Sequence, residues 1–274
     1  MRPTENYNRF VDGIDFEGSH FLTTPHDLHR ARRKPLEPYF SRQGIARFEP
    51  VIQELAQKLE KRFRALEGTH SIVRLDHALV CYTGDMISRV CCEQTTSLLD
   101  AEDFSKDWYD SLHTIIKSMP LFEALPWLIR VVRLIPKSVL TWLDPRSQLF
   151  NDWQDMAEDH VIRIKAAGKR ADPISTGIKR TTVLHDLVYS DMPESELSTS
   201  RLVNEAQVLL AAGTIGTARV LDLMCFYIVA NPAVHRRLGE ELTDVMANYP
   251  ITPPTWAQLE KLPYLQAVIK GGLR

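Results

Sequence analysis

The sequence predicts a mainly α fold, and three observations lead to that prediction. Apolar residues recur every three or four positions through most of the 274 residues. No alternating pattern long enough for a strand appears. The stretch 196–230 keeps a helical pattern throughout and is unusually apolar from Val208 to Ala212. With 44% hydrophobic and 25% charged residues, the composition is that of a globular protein with a real core, and we expect residues 1–274 to form a single domain.

Capping residues and prolines set the limits of the first two helices. Thr24 is a suitable cap before Pro25, so the first helix is expected to begin there and to run towards Phe40, although Pro35 disfavours its middle. The second helix carries apolar residues at helical spacing over 45–66, with a stop signal just after it at Gly68. Pro50 predicts that this second helix is kinked or starts late.

The later elements are also predicted as helices. Thr182 ends a polar stretch from Lys169 that is typical of a loop, and Pro253-Pro254 predicts a second break. The remaining helices are expected over 75–95, 103–118, 148–167, 196–230, from 232 through 245, and from 263 onwards.

Charge and cysteine content exclude several classes of function. A net charge of -2 gives no electrostatic case for nucleic-acid binding. The four cysteines form no disulfide or metal-binding pattern, so reduced thiols in a cytosolic compartment are expected.

The first six residues are polar, so neither a signal peptide nor an anchor is predicted, and no window of about 20 apolar residues suggests a transmembrane span.

One segment, 125–143, is amphipathic enough for contact with a membrane surface. It contains Trp127 and Trp142 but is interrupted by basic residues and Pro136. The alternative is a partly buried helical hairpin. The expected location is therefore cytoplasmic, or peripheral to the endoplasmic reticulum membrane.

His29 and Arg33 are candidate anion-binding residues. They stand four positions apart and therefore share one helix face, where an imidazole and a guanidinium can bind an anion together. A solvated basic helix that includes Arg30, Arg32 and Lys34 is the alternative interpretation. The sequence contains no nucleophile motif and no histidine–carboxylate spacing for a metal, so no catalytic or metal-ligating residue is predicted.

The small residues at 211–214 are unusual inside an apolar helix, because glycine there costs about 1 kcal/mol relative to alanine. They allow either a flat ligand or a neighbouring helix to approach the backbone.

Taken in order, these pieces resemble the cytochrome P-450 family, particularly its fungal microsomal-type members. His29-x-x-x-Arg33, followed by Pro38-Tyr39-Phe40-Ser41, resembles the C helix of that family. In the family an aromatic residue or histidine and this arginine hold the haem propionates. The resemblance covers roughly residues 21–274 and only the middle of a complete family member.

Two further stretches carry the resemblance. Residues 204–214, continuing to Asn231-Pro232 and 238–242, are similar to the I and J helices, and 259–265 to the approach to the K helix. The implied fold is the helical core of a cytochrome P-450, without the N-terminal sheet or anchor and without the C-terminal haem-thiolate loop. The implied haem contacts are made by His29, Arg33, Ala212, Gly213 and Thr217.

The chain departs from the family pattern at three places. Ile215 and Gly216 stand where the I helix has an acid and a threonine, and Thr217 lies about 100° further round the helix. Gly271 replaces the acid of the K-helix Glu-x-x-Arg pattern, which ends here at Arg274. None of the four cysteines has the surroundings of the haem-ligating cysteine, so the printed chain is expected to lack an iron ligand and to be inactive.

By resemblance, the function is oxidation of a lipophilic small molecule in a specialised-metabolite pathway, with haem as cofactor and an NADPH reductase as partner. The first alternative is a non-catalytic remnant or a helical interaction protein. A haem-free enzyme that reuses the apolar pocket is the second alternative.

Overall fold

The computed structural model describes residues 16–92, 96–145, 147–167 and 182–274, which are mainly α-helical and contain no strand. Three short 3-10 segments cover Lys34–Leu36, Leu98–Asp100 and Glu194–Leu197. The α-helices are α1 (His26–Arg33), α2 (Arg42–Leu66), α3 (Leu75–Cys91), α4 (Lys106–Ala124), α5 (Trp127–Leu134), α6 (Lys137–Leu143), α7 (Ser147–Ala167), α8 (Val183–Val188), α9 (Thr199–Ala230), α10 (Pro232–Leu242), α11 (Trp256–Leu259) and α12 (Pro263–Gly272).

The first helix is shorter than the sequence predicts. Pro25 occupies the N-cap position and no side chain caps the helix, so the prediction that Thr24 is the cap is wrong. The α-helix ends at Arg33, and Pro35 lies in the 3-10 turn that follows. Because proline has no backbone N–H to continue the α-helical pattern, the expected run to Phe40 is wrong as well.

The second helix starts earlier than Pro50 suggested. Ser41 caps it, since its Oγ accepts a hydrogen bond from the backbone N–H of Gly44 at 3.0 Å. Pro50 lies inside the helix, so a late start is wrong. The predicted stop is confirmed, because the helix ends at Leu66 and Gly68 has the left-handed φ of +77° that glycine tolerates best.

The segment 125–143 forms two helices, α5 and α6. The predicted helicity is confirmed and the segment is partly buried, although several large side chains are exposed. Trp127 is 58% exposed, Leu134 83% and Trp142 80%. The predicted loop over 169–182 lies outside the described residues except for Thr182, which caps α8, a helix that the sequence did not predict.

The long helix α9 is buried in its first half and exposed towards its end. Leu202 and Leu210 are buried, whereas Phe226 and Val229 are exposed. The expectation of a core-crossing helix therefore holds for the first half of α9. Its predicted start at 196 is wrong, because Glu194–Leu197 is a separate 3-10 turn.

Among the described residues, α9 is the one helix long and apolar enough to cross a membrane, with a window of mean hydropathy 1.5. Length and composition alone support this, and core helices of soluble proteins meet the same criterion. This finding corrects the expectation that no window of about 20 residues is apolar enough to suggest a transmembrane span. The small and hydroxyl-bearing residues of α9 do not interrupt its apolar character.

The C-terminal helices follow the predicted breaks. α10 ends at Leu242, before the predicted Val245, and α12 begins at Pro263 as predicted. The short α11 was not predicted, although Thr255 and Gln258 form a capping box at its start.

Contacts divide the chain into two compact units. So far as its residues are described, the first unit comprises Met1–Phe40, Ile87–Gln94 and Ser105–Ala211, and the second comprises the remainder. In the first unit α7 packs against α4, α6 and α8, and in the second α10 packs against α12. A single domain stays a prediction.

Candidate functional site

The predicted anion-binding pair lies on α1, in the first unit. His29 is half-buried and Arg33 is exposed, and the helical spacing places both on one face. Burial lowers the pKa of His29 most, and the charges of His20, Arg33 and His26 lower it further, while Glu205 opposes them. The exposed guanidinium of Arg33 and the imidazole of His29 can donate hydrogen bonds to one anion. The arrangement therefore suits a carboxylate or phosphate group.

Arg32 does not belong to a solvated face, which corrects that part of the alternative interpretation. Its Nε donates to Glu196 Oε2 at 2.6 Å and its Nη2 donates to Glu196 Oε1 at 2.9 Å, a bidentate pair. Nη1 of Arg32 donates to Thr23 Oγ1 at 2.8 Å. These bonds tie α1 to the turn that precedes α9. Hydrogen bonding from Arg32 is the largest cause of the lowered pKa of Glu196.

A second ion pair continues this network into α9. Nη1 of the buried Arg201 donates to Oε2 of the fully buried Glu205 at 2.8 Å, while Nε of Arg201 donates to the backbone carbonyl of Glu196 at 2.6 Å. Two guanidiniums and two carboxylates therefore balance their formal charges within one contiguous network. Removing one member would leave its partner buried without a counter-charge.

His20 joins the same network and was not predicted as a site residue. Its backbone N–H donates to Glu205 Oε2 at 3.0 Å, and its Nδ1 contacts Glu205 Oε1. The centroids of the His20 and His29 rings are 6.3 Å apart. Sequence spacing cannot reveal this pairing, because Glu205 lies 185 positions from His20. The spacing of Arg201 and Glu205, four apart on one helix, was the available signal.

The other predicted haem contacts lie around the middle of α9, in the second unit. Ala212 and Thr217 are exposed and Gly213 is half-buried. The division into two units leaves their position relative to His29 and Arg33 a prediction.

On the other side of α9, Thr214 is buried against α3, which is the close helix packing considered as an alternative. Thr83 Oγ1 donates to the carbonyl of Thr214 at 2.9 Å. A Cβ on Gly84 would lie 3.6 Å from Thr214 Cγ2. The close-packing interpretation of the 211–214 stretch is therefore confirmed on the face of Thr214, and the approach of a flat ligand to another face stays a prediction. The packed face carries Thr214, and the open face carries Ala212.

The glycines at the end of α12 differ in their surroundings. A Cβ on Gly271 would meet nothing within 4 Å, whereas one on Gly272 would lie 2.3 Å from Met224 Cγ. Gly272 therefore permits a close approach to α9, and the sequence did not predict this role. Packing gives no comparable reason for Gly271.

The described cysteines do not suit iron ligation. Cys81, Cys91 and Cys92 are buried, and burial raises the pKa of the Cys91 thiol well above its ordinary value. Burial also raises the pKa of Cys225. A neutral thiol is a poor metal ligand, and among the described residues no group of three His, Cys, Asp or Glu side chains could hold a metal ion. The thiols of the described cysteines are therefore unsuited to ligate iron, and a role of His29 and Arg33 towards the carboxylates of a haem stays a prediction.

Comparison with known proteins identifies the family. A family model described as Cytochrome P-450 matches residues 4–274. The cytochrome P-450 monooxygenase oblB of Aspergillus clavatus is 50% identical over 279 residues, which cover 100% of this chain and 54% of that protein. The fusicoccadiene C-8 hydroxylase of Phomopsis amygdali is 45% identical, with 100% and 53% covered.

The fold agrees with this result. A cytochrome P-450 crystal structure matches with a TM-score of 0.74 and 13% identity, covering 98% of this chain and 55% of that one, and at this identity it shows the fold alone. The mainly α prediction is thereby confirmed. The chain spans about half the length of the curated relatives it matches. With a family model that covers residues 4–274, the chain belongs to the cytochrome P-450 family.

Proposed function

We propose that this chain is the helical core of a fungal monooxygenase that hydroxylates a lipophilic small molecule in a specialised-metabolite pathway. The observation that carries the proposal is the anion-binding pair of His29 and Arg33 on α1, in a chain 50% identical to a cytochrome P-450 monooxygenase along its whole length. One relative is named for hydroxylating C-8 of fusicoccadiene, which supports a hydrocarbon substrate of similar character.

His29 and Arg33 would hold the two propionates of a haem, and Ala212, Gly213 and Thr217 would face the porphyrin or the substrate. When bound, haem supplies the activation of dioxygen for insertion of one oxygen atom. The residues of α1 bind and orient the negatively charged edge of the cofactor. The small residues of α9 leave room for a flat or bulky apolar molecule. Electrons would come from an NADPH-dependent reductase.

The binding half of this proposal can be tested on the 274-residue chain. Hemin should bind more tightly than hemin dimethyl ester, because only hemin presents carboxylates to α1. Arg33→Gln and His29→Gln should reduce that preference. Equal affinity for the acid and the ester would refute the assignment of the propionate site.

The activity half needs a complete reaction mixture. A hybrid in which this chain replaces the matching segment of the fusicoccadiene C-8 hydroxylase of Phomopsis amygdali would be incubated with a fungal reductase, NADPH and fusicoccadiene under labelled dioxygen. One labelled oxygen atom in the product would support the proposed function in full. In the 274-residue chain alone, a thiolate-type Soret band after reduction under carbon monoxide would contradict the expectation that this chain supplies no iron ligand.

A non-catalytic protein of the same descent is the second candidate. Gly216 favours it, because a Cβ there would meet nothing within 4 Å and packing does not explain the missing threonine. If product formation is absent while hemin still binds through its carboxylates, this second candidate is supported.

We also infer peripheral contact with the endoplasmic reticulum membrane through residues 125–143. The exposed side chains of Trp127, Leu134 and Trp142 lie on α5 and α6. The segment contains three basic residues and no acidic residue, a composition that suits an anionic lipid surface.

This contact is testable by flotation with vesicles that contain phosphatidylserine. The double change Trp127→Ser and Trp142→Ser should release the chain from the vesicles. Ile72→Ser is the matched control, because Ile72 is 94% exposed but lies outside the segment. Equal release by both variants would argue against a specific membrane surface.

A further inference from the structure

The buried carboxylate of Glu205 holds the imidazole of His20 in one orientation. Oε1 of Glu205 contacts His20 Nδ1, and Oε2 accepts from the His20 backbone N–H at 3.0 Å. An ionised carboxylate is only an acceptor, so Nδ1 of His20 must carry the hydrogen in this contact. The remaining ring nitrogen, Nε2, can donate to an anion in the imidazolium form, in which both ring nitrogens carry a hydrogen.

Glu205 does not cancel the positive character of the neighbouring surface. Its charge is balanced within the network by Arg201, whose Nη1 donates to it at 2.8 Å. Both groups are buried, whereas the side chain of His20 is 19% exposed. The permanent positive charge beside His29 is that of Arg33, and His20 and His26 lie near the same ring.

The ring centroids of His20 and His29 are 6.3 Å apart, and their planes are inclined by 38°. A carboxylate that accepts one charge-assisted bond of about 2.8 Å on each oxygen joins donor atoms roughly 5–7 Å apart. Because the ring nitrogens lie close to their ring centroids, this centroid distance leaves room for one carboxylate to bridge the two rings. His29 and Arg33 then share the anion with a third side chain that comes from the loop before α1.

We propose that His20, oriented by Glu205, is a third anion-binding residue of the His29–Arg33 site. This inference rests on the proposed function, since the anion meant is a carboxylate of the porphyrin. It adds one binding residue, His20, and one positioning residue, Glu205, to the site.

The test uses zinc protoporphyrin IX and its dimethyl ester as probes, with affinity measured by fluorescence on the full 274-residue chain. The acid should bind more tightly than the ester. His20→Gln should reduce that preference about fivefold, as expected for one lost charge-assisted bond at a partly exposed position. The affinity for the ester should stay unchanged, which a general loss of structure would not allow.

Two further variants complete the design. Glu205→Gln should also reduce the preference, because a neutral amide no longer favours a charged, fixed imidazole. His235→Gln, the same change at an exposed histidine on α10, is the matched control, and the preference should stay unchanged.

A measurement on the unsubstituted chain covers the case in which a variant does not fold. The His20 ring signals in a histidine NMR spectrum should shift with the acid and not with the ester. If Arg33→Gln reduces the preference while His20→Gln does not, or if the His20 signals do not respond, the role of His20 is overturned and the propionate site stands. If the unsubstituted chain binds both probes equally, both proposals are overturned.

Discussion

Arg32 and Glu196 form a bidentate ion pair across 164 positions of sequence, with N–O distances of 2.6 and 2.9 Å. The pair is largely buried and joins α1 to the turn before α9. His29 and Arg33, the residues proposed to bind an anion, therefore lie on a helix whose position depends on the ion pair of Arg32 with Glu196.

Replacing Arg32 should destabilise the fold, and the loss of stability should be larger when the positive charge is removed than when only the planar geometry is lost. Arg32→Met removes the bidentate partner of the Glu196 carboxylate, and the free energy of unfolding should fall by about 2–3 kcal/mol. Arg32→Lys keeps the charge but not the planar geometry and should cost about 1 kcal/mol. Urea unfolding followed by circular dichroism measures both. Arg30→Lys, at an exposed position of the same helix, should change little.

The stability of the chain should depend on pH through His29. The pKa of His29 in the folded chain lies below its ordinary value of 6.5, so the unfolded chain binds the proton more readily. The free energy of unfolding should therefore fall as the pH drops through 6.5 towards the lower pKa of the folded chain. Glu196 has a lowered pKa and loses its contribution only below its ordinary value of 4.5.

The measurement compares the unsubstituted chain with His29→Gln over the same pH range. The variant should show a smaller loss of stability below pH 6.5. Identical pH profiles for the two proteins would contradict the lowered pKa. Binding of a carboxylate should show the opposite trend and strengthen as the pH falls, because a protonated His29 is the better partner.

The two glycines at the end of α12 should respond differently to alanine. Gly271→Ala should stabilise the chain by about 0.5 kcal/mol, because the added methyl group meets nothing and the helix gains propensity. Gly272→Ala should destabilise it by about 1 kcal/mol, since Met224 must move out of its position. Thermal unfolding of the two variants side by side is the measurement. A stabilising Gly272→Ala would mean that Met224 repacks without cost.

Gly216 should tolerate a side chain. Gly216→Ala lies inside α9 at an exposed position and should raise the free energy of unfolding by about 0.5–1 kcal/mol. Gly84→Ala is the control in the same unit, because its Cβ would lie 2.8 Å from Leu98 Cδ1 and should destabilise the chain. A loss of stability in Gly216→Ala would show that packing does restrict this position.

Local signals in the sequence predicted most of the helices and fewer of their ends. Gly68 and Pro263 act within one or two residues, and their effects were predicted correctly. For Pro50 the predicted late start was wrong, because the helix continues through this proline, and the alternative of a kink stays a prediction.

The candidate site was predicted in part, for a physical reason. His29 and Arg33 share a helix turn, so their cooperation can be read from spacing alone. His20 and Arg32 act through contacts between distant segments, and only the spacing of Glu205 from Arg201 gives a local signal for this network. The exposure of Trp127 and Trp142 was equally unpredictable, since it depends on what packs nearby.

The hydrogen bond from Thr83 to the carbonyl of Thr214 has a consequence for the chemistry that α9 can support. Together with the contact at Gly84, it fixes the rotation of α9 about its own axis at this turn. A rotation of α9 that brought the hydroxyl of Thr217 to the face of Gly216 would therefore move Thr214 out of its buried position. A hydroxyl on the face of Gly216 therefore requires a substitution at position 216, because rotating the helix would break the hydrogen bond between Thr83 on α3 and Thr214.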